Sequence, residues 1–213
     1  MPADRIALVR RGLSLTWLTL GYNSLEAVLA LLFGALAGSI ALEGFGFDSL
    51  IEVSASVAAL WRLYADVDPA RRANAERRTH QIIGVLFLAL AIYVSWQAAT
   101  TLLTRTPPSE SLPGILLAAA SLIVMPVLAR AKRQVAHALS SSALRAEAAQ
   151  TSLCAWLSAI LLGGLALNAL LGWWWADPIA ALAMVPVMLK EGREGLRGEA
   201  CCDDCHPTAR DST

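Results

Sequence analysis

Apolar residues gather into six long runs along the chain, separated by short segments rich in charged or turn-forming residues. The runs cover residues 13–33, 39–61, 80–104, 111–129, 148–171 and 173–189. Each run is close to the ~20 residues that an α-helix needs to cross a bilayer. Because lipid offers no hydrogen-bond partner to an exposed backbone, the runs predict helices and exclude open strands. The expected fold is an all-α membrane protein with six transmembrane helices.

Composition agrees with this fold. The chain has 213 residues, of which 56% are hydrophobic and 16% are charged, and its mean hydropathy is +0.55. The apolar share exceeds that of an ordinary soluble domain. The first run is too long for the core of a signal peptide, so we expect it to remain as the first helix. The predicted location is the plasma (inner) membrane, as an integral multi-pass protein.

The basic residues predict how the helices are oriented. If the N-terminus is cytoplasmic, sixteen of the seventeen Lys and Arg residues fall on the cytoplasmic side, and only Arg105 falls outside. Such an asymmetry places both termini in the cytoplasm. The basic loops are explained by this topology and by contact with anionic lipid, so they do not indicate a nucleic-acid partner.

Five carboxylates in or beside the apolar runs are candidates for a site inside the membrane. They are Glu26, Glu43, Asp48, Glu52 and Glu147. An ionisable side chain inside a bilayer costs about 2.5–3.5 kcal/mol on insertion scales, so each one is by default a functional hypothesis. Asp48 and Glu52 are four residues apart and share a helix face. Two ionised carboxylates repel at low dielectric, so we expect them to share a proton or a cation. The alternative is that they pack against serines and help the helices to associate.

The fifth run carries a polar stripe. Glu147, Gln150, Thr151 and Cys154 occur at positions i, i+3, i+4 and i+7 of one helix face. Together with the pair on the second run, Gln150 and Cys154 would offer four ligands to one cation inside the bilayer. A set of thiolate, amide and carboxylate suits a first-row divalent ion better than magnesium or potassium. The alternative for Cys154 is that it packs as a small hydrophobic residue.

A short tail, residues 199–213, follows the predicted six-helix domain of residues 1–198. Its potential metal ligands are Cys201, Cys202, Cys205 and His206. Disulfides are rare in the reducing cytoplasm, and thiolates beside an imidazole bind zinc or copper(I) tightly. The tail is therefore predicted to capture metal ions; the alternative is a redox-sensitive or merely tolerated end.

Three motifs resemble the cation diffusion facilitator (cation efflux) family, in the order in which that family has them. They are GSIALEGFGFDSLIE at 38–52, LRAEAAQTSLC at 144–154 and GWWWADPIAAL at 172–182, and the likeness extends from residue 13 to about 198. By this resemblance Asp48 and Glu52 fall on the family's first pair of metal ligands, and Gln150 and Cys154 fall on the second pair. Asn23 falls on the asparagine of the family's first helix.

The resemblance implies proton-coupled efflux of a divalent metal ion, usually zinc, by a six-helix domain that works as a homodimer. The family has His or Asp in helix five where this chain has Gln150, so iron, cobalt, manganese and cadmium stay open beside zinc. The secondary ligand candidates are Glu147, Thr151, Asn23 and Glu26. The family usually continues into a soluble domain, for which the residues after Leu189 are too few. We therefore expect membrane helices or the tail to hold the dimer.

The predicted function is export of a divalent metal ion by a secondary transporter. There are two alternatives to this function. No phosphate-binding glycine loop, nucleophile elbow or HExxH motif is present, so the chain is not predicted to be an enzyme and no prosthetic group is expected. The first alternative is a non-transporting metal sensor or accessory protein that uses its cysteine tail. The second is a small transporter for an organic cation.

Overall fold

Six α-helices make up the described part of the chain. The computed structural model describes residues 3–64, 69–139 and 142–197. The helices are α1 (Ala3–Ala37), α2 (Ile40–Tyr64), α3 (Pro69–Thr104), α4 (Leu112–Leu139), α5 (Ser142–Leu171) and α6 (Ala176–Arg197). No strand occurs within these described ranges, which confirms the all-α prediction.

The helices are longer than the apolar runs that predicted them. Helix α3 begins at Pro69, well before its run, and α4 continues to Leu139, well beyond its run. An apolar run marks only the part of a helix that suits hydrocarbon, whereas helical hydrogen bonding continues into the basic turns beside the membrane. As a result Lys132, which follows the apolar run 111–129, lies within α4.

Within the described residues, four helical segments are long and apolar enough to cross a membrane. They are Ile6–Ala37, Arg77–Thr104, Leu112–Leu139 and Leu144–Leu171. Helices α2 and α6 fall outside this group because carboxylates interrupt α2 and because α6 ends in charged turns. The protein is thus an integral multi-pass membrane protein whose second helix carries three carboxylates within its apolar part and whose sixth helix has a charged end.

Apolar side chains cover the surface of the bundle as well as its core, and polar side chains are buried within that core. Large apolar side chains such as Val28, Ile92, Trp96 and Ile123 are mostly exposed on the outside of the bundle. Charged and polar side chains instead lie inside, among them Asn23, Glu26, Asp48, Glu52, Lys132 and Thr151. Such an arrangement is expected where lipid replaces water, since polar groups must then find their partners between helices.

The helices pack in two groups. Helix α1 packs on α2 and α4, and α4 packs on α5, which also meets α2. Helices α3 and α6 pair closely, since a Cβ on Gly84 would lie only 2.7 Å from the backbone nitrogen of Leu196. The α3–α6 pair then contacts α2 and α5. Helices α2 and α5 therefore stand at the junction between the two groups.

A tight turn joins α1 to α2. Gly38 ends α1 with a φ of 64°, a conformation that disfavours other residues. One turn earlier, a Cβ on Gly34 would lie 2.9 Å from the backbone nitrogen of Glu43, so this glycine lets the two helices approach. Gly38 thus permits the turn, and Gly34 permits the close contact between α1 and α2.

The first turn of α2 is capped from α6. The Oδ2 atom of Asp177 accepts hydrogen bonds from the backbone N–H groups of Ile40, at 2.9 Å, and Ala41, at 3.5 Å. Ser39 donates to Oδ1 of the same carboxylate at 2.5 Å and accepts the N–H of Leu42 at 3.2 Å. A carboxylate at a helix N-terminus satisfies free N–H groups and complements the helix dipole. The alanine, aspartate, proline element is therefore a structural cap that ties α6 to α2.

Candidate metal site

Three of the four predicted primary ligands line one small cavity between α2, α5 and α6. Its polar lining is Asp48, Glu52, Gln150 and Glu191, and its apolar lining comes from Leu153, Leu157, Val187 and Met188, together with Phe87 of α3. Its volume is about 10 Å³, which is room for one water-sized sphere. The cavity therefore has space for one dehydrated ion and none for an ion with its full water shell.

Helix geometry brings the two carboxylates of α2 to this wall. Asp48 and Glu52 are one turn apart, and they are 6% and 5% exposed. Between them Leu50 points outward, while Ser49 is buried on a neighbouring part of the same face. The spacing thus places both carboxylates inside the bundle, as the sequence predicts.

Glu52 is held through one of its oxygens only. The Thr151 hydroxyl donates to Glu52 Oε1 at 3.0 Å. Glu52 Oε2 is buried and has no hydrogen-bond partner among the described residues, and the same is true of both amide atoms of Asn23. Asn23 lies close enough to Glu52 to interact with its carboxylate. Buried polar groups are almost always satisfied, so these free atoms mark a place where a ligand is expected.

Asp48, like Glu52, has carboxylate oxygens that are available to a ligand. Its carboxylate lines the cavity and makes no hydrogen bond within the described ranges, although nearly all of its surface is buried. Burying a carboxylate without partners costs several kcal/mol in general, on the order of the penalties measured for buried ions. A cation or a proton at Asp48 would remove that cost.

Cys154, the fourth predicted ligand, belongs to a neighbouring cluster around Glu26. Its Sγ donates to Glu26 Oε2 at 3.7 Å, and Ser49 donates to the same oxygen at 2.8 Å. The hydroxyl of Ser121 donates to Glu26 Oε1, and Tyr22 contacts that hydroxyl at 2.8 Å. Glu26, a secondary candidate, is thus fully engaged by donors from α2, α4 and α5.

Another buried cluster engages Glu147. Lys132 Nζ lies 3.1 Å from Glu147 Oε1, Thr16 donates to Oε2 at 3.0 Å, and Ser56 donates to Oε1 at 3.4 Å. Lys132 also donates to the Thr151 hydroxyl at 3.2 Å. The secondary candidates Glu147 and Thr151 are therefore not part of the cavity lining. Glu147 is paired with Lys132, and Thr151 connects Lys132 to Glu52 through its hydroxyl.

The ligand candidates do not converge on a single point. In residues 3–64, 69–139 and 142–197, no three His, Cys, Asp or Glu side chains lie close enough together to hold one metal ion. The predicted tail ligands, Cys201, Cys202, Cys205 and His206, lie outside the described residues. The prediction of Asp48, Glu52, Gln150 and Cys154 as one ligand set stays a prediction, with three of the four lining a common cavity.

Two buried charged residues near the site were missed by the sequence reasoning. Lys132 is fully buried, and Glu191 on α6 is 7% exposed and lines the cavity. Both follow the last residue of an apolar run, where a charged residue ordinarily lies at the membrane surface. One signal was available, because Glu191 continues the spacing of Met184 and Met188 on one face of the sixth helix.

The chemistry of the cavity favours a cation. Glu26, Asp48, Glu52 and Glu147 are buried carboxylates, whereas Lys132 is the one buried lysine or arginine in the described part of the chain. Carboxylate and amide oxygens are ligands for divalent ions. An excess of buried acidic groups thus surrounds a space of ionic size.

Comparison with known proteins identifies a matching family model and two similar sequences. Residues 16–198 match the family model described as the cation efflux transmembrane domain. A Synechocystis protein named as an uncharacterized transporter is 27% identical over 179 residues, which cover 80% of this chain and 58% of that protein. Transmembrane protein 163 of Xenopus laevis is 28% identical over 137 residues, which cover 63% of this chain and 48% of that protein. The chain spans about half the length of these relatives.

Proposed function

Because the chain belongs to the cation efflux family, we propose that it is a secondary transporter that exports a divalent first-row metal ion from the cytoplasm in exchange for protons. Zinc leads the proposed substrates, and iron, cobalt, manganese and cadmium remain in the set. The observation that carries the proposal is the cavity lined by Asp48, Glu52 and Gln150. It combines two buried carboxylates with space for one dehydrated ion.

The exchange follows from the chemistry of the two carboxylates. Asp48 and Glu52 are buried next to each other, so the empty site favours protonation, and a divalent ion favours loss of those protons. Metal and protons therefore compete for the same oxygens. If the cavity opens to opposite sides of the membrane in turn, this competition couples the two fluxes in opposite directions.

The proposed topology has six transmembrane helices with both termini in the cytoplasm. The bias of Lys and Arg supports this orientation. Three carboxylates, Glu43, Asp48 and Glu52, explain why α2 is not among the segments that qualify as spans by composition alone. A homodimer is part of the proposal by analogy with the family.

Flux measurements in proteoliposomes test the function. The purified full-length protein is exposed to zinc, iron, cobalt, manganese and cadmium in turn, with metal and pH indicators inside the vesicles. We expect metal flux with opposed proton movement in the wild type, and loss of both in Asp48→Asn/Glu52→Gln. Glu43→Gln is the matched control, because Glu43 is on the same helix and its carboxylate accepts a hydrogen bond from Tyr93 at 2.9 Å, away from the cavity.

Two results would contradict the proposal. Flux that survives in the double variant would remove Asp48 and Glu52 from the transport site. Metal binding without flux, abolished by replacing Cys201, Cys202, Cys205 and His206, would identify the protein as a non-transporting sensor or buffer instead.

A further inference from the structure

The cavity has a third acidic residue in its wall, Glu191, which comes from α6. Its side chain is buried, and it lines the cavity with Asp48, Glu52 and Gln150. Glu191 and Asp48 lie close enough to interact electrostatically. Two of the three carboxylates have unused binding capacity, since Glu52 Oε2 has no partner and Asp48 makes no hydrogen bond in the described part of the chain.

Glu191 belongs to a different group of helices from Asp48 and Glu52. Asp48 and Glu52 belong to α2, which packs closely on α1, whereas α6 packs mainly on α3. The cavity is therefore walled by both helix groups. The three carboxylates do not converge in this structure, so a cation that contacts all of them must draw the walls together.

We propose that Glu191 is a cation-binding residue of this cavity, and that a divalent ion held between Asp48 and Glu191 draws the α3–α6 pair toward α2 and α5. The inference rests on the proposed function in taking the cargo as the ligand. Three carboxylates favour a divalent ion over a monovalent one, because ligand charge sets the affinity for hard cations. The bound ion would then link the two groups of helices that wall the cavity.

Helix α6 supplies a matched control. Glu194 lies three residues beyond Glu191, its side chain is partly exposed, and its carboxylate is 3.7 Å from the exposed Lys190. It is absent from the lining of the cavity. Glu191→Gln and Glu194→Gln therefore remove the same charge from the same helix at positions inside and outside the site.

Transport kinetics provide the first test. For the metal of the panel with the highest wild-type flux, we expect Glu191→Gln to raise the KM by about tenfold or more, as the loss of one group around a metal commonly does. Glu194→Gln is expected to keep the wild-type KM. Equal KM values for the two variants would overturn the inference and leave the proposed function standing.

Cobalt binding provides a second test that does not need transport. The full-length chain, with Cys201, Cys202 and Cys205 replaced by Ser and His206 by Ala, is titrated with Co²⁺ and followed by visible absorption. We expect weaker binding and an altered spectrum in Glu191→Gln and in Asp48→Asn, but not in Glu194→Gln. If no metal is transported, this pattern would still support the cavity ligand while the transport proposal fails. Identical titrations for Glu191→Gln and Glu194→Gln would overturn it.

Discussion

Lys132 Nζ lies 3.1 Å from Glu147 Oε1, and both side chains are buried between helices. The same glutamate accepts hydrogen bonds from Thr16 and Ser56, so one carboxylate joins α1, α2, α4 and α5. Lys132 also reaches Thr151, whose hydroxyl contacts Glu52. The ion pair thus fixes the four-helix group at a position next to the candidate metal site.

The first prediction concerns the stability of this pair. Lys132→Met should lower the stability of the protein by about 3–5 kcal/mol, because it leaves Glu147 buried without its cation. Combining it with Glu147→Gln should recover much of the loss, since the amide is neutral and its oxygen still accepts from Thr16. Thermal unfolding in detergent measures both effects.

Arg133→Met is the control for that measurement. Arg133 is the next residue of α4, but it is exposed and donates to Ser152 at 2.6 Å. Its replacement should change stability by well under 1 kcal/mol, as for most surface interactions. If the effects of Lys132→Met and Glu147→Gln simply add in the double variant, the two side chains do not interact as the structure indicates.

The second prediction concerns the hydroxyl that orients Glu52. Thr151 accepts from Lys132, and its single proton is shared between two acceptors at 3.0 Å, Glu52 Oε1 and the backbone carbonyl of Glu147. Thr151→Val keeps the shape and removes this link, so we expect the affinity for the transported metal to fall by about tenfold, the equivalent of ~1.4 kcal/mol. Thr151→Ser keeps the hydroxyl and should stay close to wild type. Equal KM values for the Val and Ser variants would show that the hydroxyl does not position Glu52.

The sequence predicts the α2 half of the site well because helix geometry alone decides it. Residues four apart differ by only about 40° around a helix, so Asp48 and Glu52 share a wall whatever the neighbours are. The same four-residue spacing on α5 does not decide which neighbours Gln150 and Cys154 contact, because α5 packs against α2, α4 and α6. Gln150 meets the cavity toward α6, whereas Cys154 meets Glu26 of α1.

The charged residues beyond the apolar runs are harder to predict, although the spacing of Glu191 from Met184 and Met188 is one signal. Lys132 and Glu191 both follow a run, where a charge ordinarily marks the membrane surface. Whether such a residue is buried depends on the helices packed against it, which requires the tertiary structure. For Lys132 that neighbour is Glu147 of α5.

The third prediction separates stability from function at Asn23. Both amide atoms of Asn23 are buried without a hydrogen-bond partner among the described residues, a state that costs about 1–3 kcal/mol in proteins. Asn23→Leu removes this cost with a side chain of similar size. We expect the variant to unfold at the same or a higher temperature than wild type and to transport metal more weakly. Lower stability together with unchanged flux would show that the amide supports the fold and has no part in the site.

The fourth prediction concerns the cap that Asp177 provides for α2. Asp177→Ala leaves the N–H groups of Ile40 and Ala41 and the hydroxyl of Ser39 without their acceptor. The expected loss is about 1–2 kcal/mol of stability, typical of a missing N-cap, and it should appear in thermal unfolding. Glu110→Ala is the control, because Glu110 is an exposed carboxylate in the segment between α3 and α4.

The same variant also distinguishes a structural role for Asp177 from a metal-binding one. Asp48 lies eight residues beyond Ile40, which is about 12 Å along the helix axis. The cap is therefore too far from the cavity to contact a bound ion, and the folded fraction of Asp177→Ala should keep the wild-type KM. A large rise in KM with unchanged unfolding temperature would place Asp177 on the path of the ion and remove the cap as its main role.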